Sequence, residues 1–125
     1  MLSFGDGRAG QLGTPRREFA QSKPEIISLP SRAVQLACGN EYSVVLTVSR
    51  EIWEWGAGTS SPTQLTLRDV IYVSPGAKSC VAVTASGTAV QWTVSDNKIT
   101  KLSGAENFRV ACAAPAVIVT CMWAI

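Results

Sequence analysis

Histidine is absent from all 125 residues. That absence removes Ser-His-Asp and Cys-His nucleophile systems, histidine-ligated zinc and pH switching through imidazole. Charge is sparse as well, at 16% of residues, and eleven basic against nine acidic side chains leave a net +2. The two halves differ little, with six charges of each sign up to Pro62 and five basic against three acidic after it. So weak a field argues against nucleic acid or anionic membrane as the main partner. The N-terminus lacks the apolar core of a signal peptide, and its glycines and Asp6 argue against an arginine-rich transit helix. Residues 110–125 are uncharged, but they fall short of the roughly 20 residues that span a bilayer, and Pro115 interrupts them.

The chain is rich instead in apolar residues, at 46%, which favours a packed domain over disorder. Its length is that of one domain with a modest core. The four cysteines, Cys38, Cys80, Cys112 and Cys121, form no close pair of the zinc or redox type. Lying among valines and alanines, they read as small buried side chains of an intracellular protein in a reducing compartment.

Self-similarity is the strongest signal. Gly39, Thr47, Ser49 and Trp55 recur 37 residues later as Gly76, Thr84, Ser86 and Trp92. Upstream, Pro24, Ile27 and Leu29 recur 38 residues later as Pro62, Leu65 and Leu67. A third, more degraded copy places Val117, Ile118, Val119 and Thr120 on Val81, Ala82, Val83 and Thr84, a spacing of 36. Each unit offers four short β-branched or aromatic segments with polar or glycine turns between them. In the first they are 26–29, 34–38, 43–48 and 51–55; in the second, 65–67, 70–73, 80–85 and 88–92. Connections this short demand antiparallel neighbours. Ser86-Gly87 predicts a hairpin turn with a left-handed glycine, whereas Ser49-Arg50 predicts a different turn.

Serial four-stranded antiparallel units predict an all-β fold, the blades of a β-propeller. The chain divides into a loop from a preceding blade (4–23), a blade (24–56), a second blade (57–92) and an incomplete blade (93–125). The inner strands should be the most apolar, as VVLTV and VAVTA are, and Trp55 and Trp92 should pack between neighbouring blades.

Several motifs carry no chemistry. Gly5-Asp-Gly7-Arg-Ala-Gly10 matches the dinucleotide-binding glycine pattern but lacks the preceding strand and following helix, so it reads as a loop. Arg16-Arg17, near Arg8 and Lys23, is diluted by Glu18 and Glu25 and reads as a solvated loop. Asp6, Asp69 and Asp96 form no calcium or acid–base constellation, and no histidine activates Ser43 or Ser79. No catalytic, cofactor-binding or metal-binding residue is therefore expected, nor any cofactor, and no enzymatic activity.

The run Phe4-Gly5, Gly10-Gln11-Leu12-Gly13, Pro24, Ile27, Leu29, Ala37-Cys38-Gly39, Val44-Val45-Leu46-Thr47 and Trp55-Gly56 resembles repeats of the regulator of chromosome condensation family. The usual histidine of such a repeat is Tyr42 in the first unit and Ser79 in the second. Gly-Gln-Leu-Gly is missing after Gly56, and Thr93 follows Trp92 in place of glycine. These departures point to relaxed constraint on the loops. The resemblance implies a propeller of about seven blades in complete members, more than this chain can form. Open blade ends expose apolar faces and unpaired edges, which call for cover. The expectation is a non-catalytic interaction or scaffold subunit covered by protein partners in a larger assembly. The resemblance also implies an alternative, exchange-factor action on a small GTPase or chromatin binding by a fragment of a larger propeller.

Overall fold

The computed structural model describes residues 1–15, 20–94, 96, 98–102, 112–113 and 118–119. Every regular element among them is a strand: β1 (Leu2–Gly5), β2 (Gln21–Ile26), β3 (Ala33–Cys38), β4 (Tyr42–Thr47), β5 (Ile52–Gly56), β6 (Thr59–Gln64), β7 (Val70–Pro75), β8 (Ser79–Thr84), β9 (Ala89–Thr93), β10 (Thr100–Lys101), β11 (Cys112–Ala113) and β12 (Ile118–Val119). They form four antiparallel sheets in simple sequential order. Two are four-stranded, β3-β4-β5-β6 and β7-β8-β9-β10, and two are strand pairs, β1-β2 and β11-β12. Short hairpin connections permit only this neighbour-to-neighbour pairing.

The sheets run one strand out of phase with the expected boundaries. The expected strand at 65–67 is not one; the fourth strand of the first full blade is β6, ending at Gln64. That of the second is β10, so the 56/57 and 92/93 divisions each cut a sheet. Likewise 4–23 is not simply a loop, because β1 and β2 pair there, with Leu2 opposite Ile26 and Ser3 opposite Glu25. The cause is exposure. β6 (TSSPTQ) and β2 (QSKPEI) are edge strands open to solvent, so they carry polar residues and a proline rather than an apolar signature. Ala57 and Gly58, both at positive φ, close the tight turn that starts β6.

The central strands carry the core, as their apolar sequences lead one to expect. In β4, Tyr42, Val44 and Leu46 face the second blade, while Val45 faces back toward Ile27 and Trp55. In β8, Cys80 and Ala82 face the first blade, while Val81 and Val83 pack with Ala89 on the far side. Period-2 alternation thus sends successive residues to opposite faces, and both faces are buried. Trp55 and Trp92 lie in these inter-sheet layers.

The Thr47–Glu51 and Thr84–Thr88 turns are the same turn, contrary to the expectation drawn from Arg50. The Thr47 amide donates to the Glu51 carbonyl (3.0 Å) and the Thr84 amide to the Thr88 carbonyl (2.9 Å). Arg50 takes the left-handed conformation (φ 62°) that Gly87 adopts at 84°. The strand twist fixes the turn, and Arg50 bears its conformational cost.

The third copy also sits in a different register. β11-β12 pairs Cys112 with Val119 and Ala113 with Ile118. The same pattern in β7-β8 pairs Ser74 with Val81 and Pro75 with Cys80. Ile118 therefore matches Cys80, a spacing of 38 rather than 36. Neighbouring apolar residues leave the register of such a strand unmarked in sequence, and the pairing with β11 fixes it. Val117 and Thr120 lie outside the described residues.

Candidate interaction surface

Hydrogen bonds between residues 34 to 38 positions apart join the two full blades. The Tyr42 hydroxyl donates to the Gly76 carbonyl (2.7 Å) and lies 3.2 Å from that of Ser79. The Cys80 thiol donates to the Tyr42 oxygen at 3.4 Å. The Gln35 amide grips one residue at both ends, donating to the Val73 carbonyl (2.9 Å) and accepting from the Val73 amide (3.1 Å). The Trp92 indole donates to the buried Glu54 carboxylate at 2.7 Å, and the Asn40 amide to the Ala77 carbonyl at 3.0 Å.

Tyr42 corrects the inference of relaxed constraint. It stands where the repeat usually has histidine, and it is almost wholly buried and fully used. Gly39 makes room for it, since a Cβ there would lie 2.0 Å from the ring. Burial pushes the Tyr42 phenol well above its ordinary range, and the bond with Cys80 adds to that shift. Burial likewise pushes the Cys80 thiol up to about 12, opposed by the bond to Tyr42 and aided by the Glu54 charge. Both groups stay protonated, so the junction is held by neutral donors.

The Gly10-Gln11-Leu12-Gly13 segment is a clasp from β1 to the first full blade. The Gln11 carbonyl accepts from the Trp55 indole (2.8 Å) and the Ser43 hydroxyl (2.9 Å). The Leu12 carbonyl accepts from Ser3, and the Gly58 amide donates to the Ala9 carbonyl at 2.9 Å. These bonds commit the segment to packing, the role its sequence context favours over phosphate binding. Beside it the exposed Asp6 carboxylate is forked by Arg8, whose hydrogen bonds hold it below its ordinary pKa. Arg16 and Arg17 lie outside the described residues.

The other junction, between β1-β2 and the first full blade, is packed around Ile27, Val45 and Trp55 but open beside β3. A cleft of about 400 Å³ lies there, bordered by Leu2 and Phe4 of β1, Leu36 and Cys38 of β3, Ser43 and Trp55. Matched positions show what is missing. Leu36 pairs with Val45 as Val73 pairs with Ala82, yet Leu36 is 60% exposed and Val73 1%. Phe4, the counterpart of Trp55, is 66% exposed against 3%. Cys38 is exposed too, against expectation, because its edge strand faces the cleft, whereas Cys80 is buried as expected; both are free thiols. The side chains of Cys112 and Cys121 lie outside the described residues. Sequence reasoning singled out neither Gln35, Glu54 nor the cleft. A lone carboxylate between two tryptophans in EIWEWG was the available signal for Glu54.

Four-stranded sheets whose anchor residues recur at 37–38 positions, joined by indole and phenol bonds, define the chain as a run of β-propeller blades, incomplete as a ring among the described residues. Residues 1–46 match the family model "Regulator of chromosome condensation (RCC1) repeat". Over those residues the chain is thus similar to regulator of chromosome condensation repeats, and the blades that follow recur at the same spacing. Among similar proteins, the E3 ubiquitin-protein ligase HERC2 of Homo sapiens is 31% identical over 113 residues, covering 78% of this chain and 2% of that protein. The crystal structure of human WBSCR16 superposes with a TM-score of 0.75 at 27% identity, covering 89% of this chain and 37% of that one. Prp20p of Saccharomyces cerevisiae superposes with a TM-score of 0.78 at 18% identity, covering 91% and 37%. The last likeness is one of fold. The chain spans 2% of that ligase and 37% of each of the two solved chains.

Proposed function

We propose that the chain acts without catalysis, as a scaffold or filler subunit whose open blade faces and strand edges are buried by partner proteins. The contrast between Leu36 and Val73 carries this reading. An apolar position that is sealed at one junction lies bare at the equivalent one, and a bare apolar cleft beside a strand edge unpaired among the described residues supports a protein-binding role. The contribution is area, shape and main-chain pairing rather than chemistry. The free thiols Cys38 and Cys80 support a reducing compartment. The test is the native mass of the chain isolated gently from its source, with its neighbours identified. A defined large complex is the expected result, and a 13 kDa monomer would contradict it.

The second reading is exchange-factor or chromatin action. Its support is the likeness to Prp20p, a protein whose structure is described together with its binding to Gsp1p and histones. A nucleotide-release assay against candidate GTPases separates the two, and clear acceleration would overturn the scaffold reading.

A further inference from the structure

Some exposed apolar residues lie outside the cleft. Leu36 is bare where its counterpart Val73 is sealed, but Val34 and its counterpart Ile71, 37 positions on, are both exposed, at 54% and 40%. The junction beside Ile71 is closed, so this exposure belongs to the repeat itself. Its cause is a bulge. The register of β3 against β4 slips between Ala33 and Gln35, and that of β7 against β8 between Val70 and Tyr72. Val34 and Ile71 are the extra residues, and a bulge re-aims its side chain and interrupts main-chain pairing. Val48, in the turn after β4, is exposed as well.

Main-chain bonds hold these three residues and two arginines in one surface, at the end of the sheets where β3 and β7 begin. The Val48 amide donates to the Arg32 carbonyl at 2.8 Å, and the Val70 amide, next to Ile71, to the Arg50 carbonyl at 3.2 Å. A hydroxyl bond of 2.8 Å between Ser31 and Ser49 ties the two turns together. Arg32 and Arg50 are exposed, and neither side chain makes a hydrogen bond or ion pair among the described residues. Arg68 differs, being paired with Glu51 at 2.7 Å. Arg50 also holds a left-handed backbone, φ 62°, where Gly87 serves in the twin turn. A strained residue whose side chain holds nothing in its own fold points to a role outside that fold.

From this we propose that Arg32, Val34, Val48, Arg50 and Ile71 form a docking surface for an acidic segment of a partner protein, with apolar side chains set among its carboxylates. The proposal rests on the scaffold reading and gives the chemistry of one partner. The guanidinium groups take carboxylates in bidentate pairs, and the three β-branched side chains take the apolar groups. Arg68 is neutralised by Glu51, and Asp69 precedes Val70 beside Arg50. The field is therefore too weak to hold a polyphosphate, which favours protein over nucleic acid or membrane. The bulges interrupt the strand edges, so recognition lies in side chains rather than in an added strand.

The probe is a fluorescein-labelled synthetic peptide, Glu-Glu-Ile-Phe-Glu-Glu, titrated with the full chain and followed by anisotropy. Saturable binding that weakens as salt rises is expected. Arg50→Gly should weaken it about fivefold and keep the fold, because glycine stands at the same place in the twin turn. Ile71→Ser should weaken it too. Lys78→Ala removes the same charge at the opposite end of the sheets and should leave binding unchanged. The peptides Glu-Glu-Ser-Ser-Glu-Glu and Lys-Lys-Ile-Phe-Lys-Lys should bind poorly. Circular dichroism confirms that the variants fold. No saturable binding, equal binding of the lysine peptide, or variants at positions 50 and 71 that bind as the wild type does would overturn the proposal. Binding of phosphatidylserine vesicles or single-stranded RNA in place of the peptide would assign the surface to another class of partner and overturn it as well. Should the peptide fail while the native material is a large complex, this surface falls and the scaffold reading stands. A native monomer that binds the peptide would remove the scaffold reading alone.

Discussion

The Tyr42 hydroxyl donates a 2.7 Å hydrogen bond to the Gly76 carbonyl, from the first full blade to the second. The ring reaches that carbonyl only because Gly39 has no side chain to block it. One residue thus seals the junction through shape and through polarity. Removing the hydroxyl leaves the packing and strands a buried acceptor. Tyr42→Phe should therefore lower unfolding stability by about 1–2 kcal/mol, measured by urea denaturation, with the m-value unchanged. No loss of stability would mean that solvent reaches the junction.

Gly39 gives the complementary test. A methyl group there would sit inside the Tyr42 ring, so Gly39→Ala must displace the ring or the strand connection. A loss of about 1–3 kcal/mol is expected from overpacking. The double variant Gly39→Ala with Tyr42→Ala should recover part of the clash term, and purely additive losses would show that the two residues do not share one space.

Arg50 holds a left-handed conformation in a turn whose twin uses Gly87. Replacing it with glycine relieves that backbone cost while leaving the hydrogen bonds of the turn in place. Arg50→Gly should raise stability by about 0.5–1 kcal/mol, read as a higher melting temperature. A lower one would show that the Arg50 side chain contributes more than its backbone costs.

Alkaline pH should loosen the junction. The Cys80 thiol is pushed up to about 12 from 9.0, mainly by burial, and Tyr42 is raised as well. In the unfolded chain both ionise at ordinary values, so above about pH 9 the unfolded state holds fewer protons than the folded one. Stability is then fully present below pH 9 and falls as pH rises, by at most about 1.4 kcal/mol per pH unit per group. Melting temperatures between pH 7 and pH 11 check this, and Cys80→Ala should weaken the slope between pH 9 and 10. A flat profile would contradict the burial of both groups.

Much of the architecture was legible because its causes are local. Apolar β-branched runs such as VVLTV mark strands buried on both faces, and the recurrence of Trp55 at Trp92 marks the stacking period. The edge strands β2 and β6 were misplaced because solvent exposure relieves them of an apolar pattern, leaving prolines and serines that read as turns. The register of the third copy was missed because neighbouring apolar residues are interchangeable until a partner strand fixes them. The interaction surface was legible only as an expectation of open ends. Leu36 and Val73 look alike in sequence, and their difference lies in what covers each one.

The most direct test of the account is the reactivity of Cys38 in native material. The chain is isolated gently, labelled with a small thiol reagent, and compared by peptide mapping with the dilute purified protein. If partners fill the cleft, Cys38 should be protected in the native sample and reactive in the dilute one, with Cys80 protected in both. Equal, rapid labelling of Cys38 in both samples would mean that the cleft stands open in the cell, and that the chain does not work by having its open face covered.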